Sequence, residues 1–87
     1  MKLKKKFLLR EIVGESILVP VGEDSMSFNG LITINKSGKF IWENIEVVNS
    51  QEELLQLILE NYDIDRDTAK ADMKEFLEIL KKADIIE

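Results

Sequence analysis

The chain has 87 residues, which allows one domain with a modest core and leaves no room for a second. It contains no cysteine and no histidine, so disulfides, thiolate nucleophiles, the usual neutral-pH general base and the common zinc-ligand sets are excluded. Net charge is −5, yet residues 1–10 carry five Lys or Arg and no acid, so the remainder sums to 7 minus 17, or −10; a body that acidic repels a phosphate backbone, and specific nucleic-acid binding is not expected.

The amino-terminal MKLKKK does not lead into the uninterrupted apolar run of an export signal, because Arg10, Glu11 and Glu15 break that run at once. No stretch is long and apolar enough to span a bilayer, so a cytosolic protein without membrane contact is expected. Residues 1–6 read as a flexible, solvated basic tail. Residues 7–21, FLLREIVGESILVPV, hold two apolar runs separated near Gly14 and Glu15, the pattern of a hairpin. Pro20 lacks an amide hydrogen and so belongs near the end of the second strand. The segment GEDSMSFNG, residues 22–30, is rich in turn formers and predicts a loop. LITI, residues 31–34, is then a third strand.

Asn35 precedes KSGKFIWENI as a helix cap, with Phe40, Ile41 and Ile45 at helical spacing and Trp42 a core anchor. Gly38 weakens this short helix by up to about 1 kcal/mol, so tertiary packing must support it. Ser50 and Glu53 have capping-box spacing at the start of a second helix, in which Leu54, Leu55, Leu57, Ile58, Leu59 and Tyr62 cover more than one face. Asp65 caps a third helix that ends in Lys81 and Lys82, matching the macrodipole at both ends. Its core stripe is Ala69, Met73, Phe76, Leu77 and Leu80; Asp72, Glu75 and Ile79 lie on one flank, and Lys70, Lys74 and Lys81 on the other. Ile85 and Ile86 should return onto the core.

Nothing in this pattern carries chemistry. Asp63, Asp65 and Asp67 superficially resemble a calcium loop but lack its glycine and distal glutamate, and capping explains them better. Gly22, Gly30 and Gly38 are too scattered to cradle a phosphate. No catalytic residue, metal ligand or cofactor is expected. Three strands followed by three helices give an α+β architecture, winged-helix-turn-helix-like, with an antiparallel sheet set against a helical bundle.

The stretches ILVPVG, LITINKSGKFIWENI and SQEELLQLILENYDIDRDTAKADMKEFLEILKKADII resemble coenzyme PQQ synthesis protein D and its stand-alone relatives. The best-matching positions are Leu18, Pro20, Ile34, Asn35, Asp72, Phe76, Leu77, Leu80, Ile85 and Ile86, while Asp84 replaces the glycine of the final turn. The resemblance implies a leader-peptide recognition element that binds the leader of a ribosomally made precursor and presents it to a modifying enzyme such as a radical SAM protein. It further implies a peptide site between the third strand and the third helix: Leu31, Ile32, Thr33 and Ile34 facing Asp72, Glu75, Phe76 and Ile79. An exposed edge strand can accept such a peptide as an added strand.

The residues alone leave other readings open. Taken singly, Ile34, Met73 and Phe76 read more readily as ordinary core than as peptide contacts. A third strand this apolar needs cover, whether from a peptide, the third helix or a second copy of the chain. A winged-helix DNA-binding regulator shares the same plan, as does a structural dimerisation module. Against the regulator, the third helix sets Arg66, Lys70, Lys74, Lys81 and Lys82 against Asp67, Asp72, Glu75 and Glu78, leaving almost no field to attract DNA.

Overall fold

The computed structural model describes residues 1–22 and 32–87. The expected loop over residues 22–30 and the expected strand residue Leu31 therefore lie outside the described residues, apart from Gly22.

Strands β1 (Phe7–Ile12), β2 (Glu15–Pro20) and β3 (Ile32–Ile34) form one antiparallel sheet with β2 in the centre. The hairpin turn is Val13-Gly14, with Ile12 paired to Glu15. Both turn residues have positive φ, 51° at Val13 and 80° at Gly14, the combination that lets a two-residue turn follow the right-handed twist of its strands. Sequence alone points to a turn near Gly14 and Glu15, because Val13 is a poor left-handed residue and reads as strand.

The hairpin's hydrogen-bonding phase decides which way β3 faces. The Val21 amide donates to the Lys6 carbonyl at 3.1 Å, so residue 21 turns its peptide groups toward β1. Successive residues of a strand face opposite neighbours; Ser16 and Leu18 therefore face β3. Ser16 pairs with Ile34 and Leu18 with Ile32, so both isoleucines bond inward and Thr33 turns its N–H and C=O to the open edge. Pro20, paired with Phe7, falls where its missing donor leaves the β1 ladder intact.

Helices α1 (Lys36–Asn44), α2 (Gln51–Asn61) and α3 (Arg66–Lys82) pack on one face of the sheet. Each start carries the expected cap. Asn35 accepts from the Gly38 amide at 2.9 Å, Ser50 from the Glu53 amide at 3.1 Å and Asp65 from the Thr68 amide at 3.0 Å. The capping box at α2 is shifted, because the Glu53 carboxylate accepts from the Asn49 amide and not from that of Ser50.

Leu18, Ile41, Ile45, Leu54, Leu80 and Ile85 are fully buried and form the centre of the core, where each large aliphatic side chain contributes about 1.5–3 kcal/mol relative to exposure. The α3 stripe of Ala69, Met73, Phe76, Leu77 and Leu80 is buried as its spacing predicts. Ile85 and Ile86 are buried too. Trp42, expected as a core anchor, is only half-buried and packs against the edge of the cluster.

Residues 1–6, expected to be a loose basic tail, are tied down at several points. Leu3 bridges to Ile86, the Lys4 amide donates to the Ile85 carbonyl at 2.6 Å, and the Met1 amino group donates to the carbonyls of Ile45 and Val48. Lys4 also pairs with Asp84 at 2.5 Å. The reason for the departure is that the chain after α1 offers the carbonyls of Ile45 and Val48, and the end of α3 the Ile85 carbonyl and the Asp84 carboxylate, a complement that no local pattern in MKLKKK reveals.

Candidate peptide groove

The free edge of β3 and one flank of α3 enclose a groove of about 100 Å³, lined by Thr33, Ile34, Asn35, Ser37, Asp72, Glu75, Phe76 and Ile79. Strand alternation and helix periodicity explain its composition. Ile34 points inward and Thr33 outward along β3. On α3, residues 72, 75, 76 and 79 recur at three- and four-residue intervals and share a face. Ile34 and Phe76 are buried and form the floor, while Thr33, Glu75 and Ile79 are exposed at the rim and Asp72 is half-buried between them.

Six of the eight residues expected at a peptide site, Thr33, Ile34, Asp72, Glu75, Phe76 and Ile79, meet in this groove. Ile32 does not line it; its side chain is half-buried against the core. Leu31 lies outside the described residues. Sequence reasoning misses Asn35, Ser37 and Gly38. Asn35 reads there only as a cap, although a cap directly after an edge strand must stand at the end of that strand's groove.

Gly38 has a specific structural use. A methyl group there would sit 3.0 Å from two ring carbons of Phe76 and 3.3 Å from the Asn35 side-chain oxygen. Glycine therefore lets the first turn of α1 close against the Phe76 ring and hold it in the groove floor. The Asn35 oxygen also accepts from the Ser37 hydroxyl at 3.0 Å, which orients both polar side chains at this end.

The groove is acidic. Asp72 and Glu75 have no ion-pair or hydrogen-bond partner among the described residues, whose ion pairs involve Glu11, Glu52 and Asp84. No charged or polar side chain is buried among the described residues, and their Asp and Glu side chains form no group able to hold a metal ion. What the arrangement offers is an edge peptide group at Thr33, a shallow apolar floor and a negative rim. Those are means of binding an extended chain.

An α+β domain whose three-stranded antiparallel sheet leads into three helices, with an open edge strand beside the last helix, belongs to the winged-helix-like class. The sequence matches the family of coenzyme PQQ synthesis protein D (PqqD) over residues 15–86, and the chain belongs to that family. The structure of TbiB1 in complex with the TbiA(beta) leader peptide has the same fold, with a TM-score of 0.72 and 24% sequence identity over 100% of this chain and 95% of that one. None of the curated proteins matches the chain.

Proposed function

We propose that this chain is a non-catalytic adaptor that binds the leader of a ribosomally synthesised precursor peptide and presents it to a modifying enzyme, a radical SAM protein being the partner most in keeping with the family. The peptide adds to the sheet as a fourth strand on β3 and lays its side chains against Ile34, Phe76 and Ile79. The carrying observation is the phase of the ladder: Thr33 aims both its peptide groups away from β2, beside a groove walled by α3. Membership of the PqqD family supports the same reading, as does the leader peptide present in the TbiB1 structure.

Proline scanning tests it, because proline removes one amide hydrogen. Thr33→Pro deletes an outward donor and should leave the fold intact, as judged by thermal melting, while weakening binding of a cognate leader peptide by about tenfold, the equivalent of one lost hydrogen bond. Ile32→Pro and Ile34→Pro delete inward donors to Leu18 and Ser16 and should lower the melting temperature sharply. A folded Thr33→Pro variant with undiminished leader affinity would place the peptide elsewhere.

A further inference from the structure

A second cavity adjoins the groove at the end nearest Asn35. It has a volume of about 300 Å³ and lies where the first turns of α1 and α3 meet the α2–α3 connection, lined by Ser37, Ile41, Ile58, Tyr62, Asp63, Ile64, Ala69 and Asp72. Ser37 and Asp72 line both spaces, so the groove runs directly into the cavity.

The walls are those of a receptor for an apolar side chain. Ile41, Ile58 and Ala69 are buried and form its base, and the apolar surface open to a ligand is that of Tyr62, which is exposed, and Ile64, which is half-buried; covering such surface with hydrocarbon is favourable. Tyr62 closes one side, its ring held edge-on by Phe40 with centroids 5.2 Å apart and planes at 89°, a geometry that stabilises aromatic pairs. At the mouth stand Asp63 and Asp72, and neither carboxylate has an ion-pair or hydrogen-bond partner among the described residues.

We infer that this cavity is a second subsite of the same groove, taking a bulky aliphatic side chain that lies next to an Arg or Lys of the bound peptide. The inference rests on the strand-addition reading and narrows its ligand to leaders carrying an apolar-basic pair beyond the β3-paired stretch. Apolar walls select the first member of the pair, and the two carboxylates at the mouth select the second. An acidic neighbour in the peptide would meet like charge at Asp63 and Asp72 and be rejected.

Short peptides isolate this subsite from strand addition. N-acetyl-leucyl-arginine amide, titrated into ¹⁵N-labelled protein, should shift the amides of Ser37, Tyr62, Ile64 and Ala69. The leucyl-glutamine amide should bind about fivefold more weakly and the leucyl-glutamate amide more weakly still, in keeping with about 1 kcal/mol for a partly exposed charge pair. Ala69→Leu, which fills the cavity from its wall, should abolish the shifts. Ser37→Leu, which fills it from the mouth, provides the same answer should Ala69→Leu fail to fold. Equal affinity for the arginine and glutamate peptides, shifts centred elsewhere, or no shifts at all would overturn the subsite. Failure of the parent reading looks different: Thr33→Pro would keep its leader affinity while these dipeptides still bound at the cavity.

Discussion

Single residues in this fold are held in conformations their side chains do not favour, and the reasons differ. Val13 sits at φ 51° and is 99% exposed. A left-handed β-branched residue is strained, and none of the described residues buries Val13 to offset it. The hairpin needs that conformation, because the strands it joins must keep their twist. Val13→Asn should therefore stabilise the protein by about 1 kcal/mol, seen as a rise of roughly 4–8 °C in melting temperature for a domain of this size. An unchanged or lower melting temperature would mean that the exposed valine has a use the turn geometry does not explain.

Asp84, at φ 59°, occupies a similar conformation but is compensated. It follows the Ala83 cap of α3 in a Schellman turn, with Ile85 donating to the Leu80 carbonyl at 2.9 Å and Asp84 to that of Lys81 at 3.0 Å. Aspartate tolerates this region better than most residues. Its carboxylate then holds Lys4, and Lys5 at 3.9 Å, so this position ties the amino-terminal segment to the end of α3.

The elements inherit their boundaries from such residues, and the tie between the two chain ends is where pH enters. The Lys4 side-chain hydrogen bond, and then its charge, hold the Asp84 carboxyl below its usual value of 3.8. The same hydrogen bond and charge raise Lys4 above its usual 10.5. Asp84's contribution is thus present above its unfolded value and lost as pH falls through its lower folded value. The contribution of Lys4 is complete below 10.5 and lost only as pH rises through its higher folded value. Between those limits the tie is constant. Asp84→Asn keeps the turn, since asparagine also accepts positive φ, but removes the charge. It should reduce hydrogen-exchange protection of the Lys4 amide at neutral pH with little effect on the amides of the α3 core stripe, and it should abolish the loss of protection that acid causes in the parent. Equal protection in both proteins would show that the backbone bond to Ile85 suffices.

At the scale of the whole molecule, charge is segregated along the sheet. Basic residues cluster in residues 1–10, which lead into and through β1 at one edge, while Asp72 and Glu75 rim the groove at the opposite edge, beside β3. Duplex DNA should consequently bind only weakly, without sequence preference and with steep salt dependence, through the basic end. Electrophoretic mobility measurements with Lys2, Lys5 and Lys6 changed to Gln should show that binding lost. Sequence-specific retention in that variant would favour a DNA-binding regulator. Among the described residues no helix is long and apolar enough to cross a membrane.

Much of this is legible in the chain before any coordinate, because the signals are local. A cap and a periodic stripe determine a helix through hydrogen bonds and side-chain spacing within a few residues, which is why Asn35, Ser50, Asp65 and the run from Ala69 to Leu80 can be read directly. The sequence also determined what is missing from the chemistry, since a chain without His or Cys cannot supply those groups in any fold. Tertiary structure alone decided the rest. The outward phase of Thr33 follows from a hydrogen bond between residues 6 and 21 on the far side of the sheet. The use of Gly38 depends on the ring of Phe76, in a different helix, and the cavity at Tyr62 and Ala69 is a gap where three helices fail to fill space. Residues 1–6 are held because the segments after α1 and at the end of α3 happen to offer them partners. Each of these depends on atoms brought together across the chain, and no spacing along one segment can encode a distance to another.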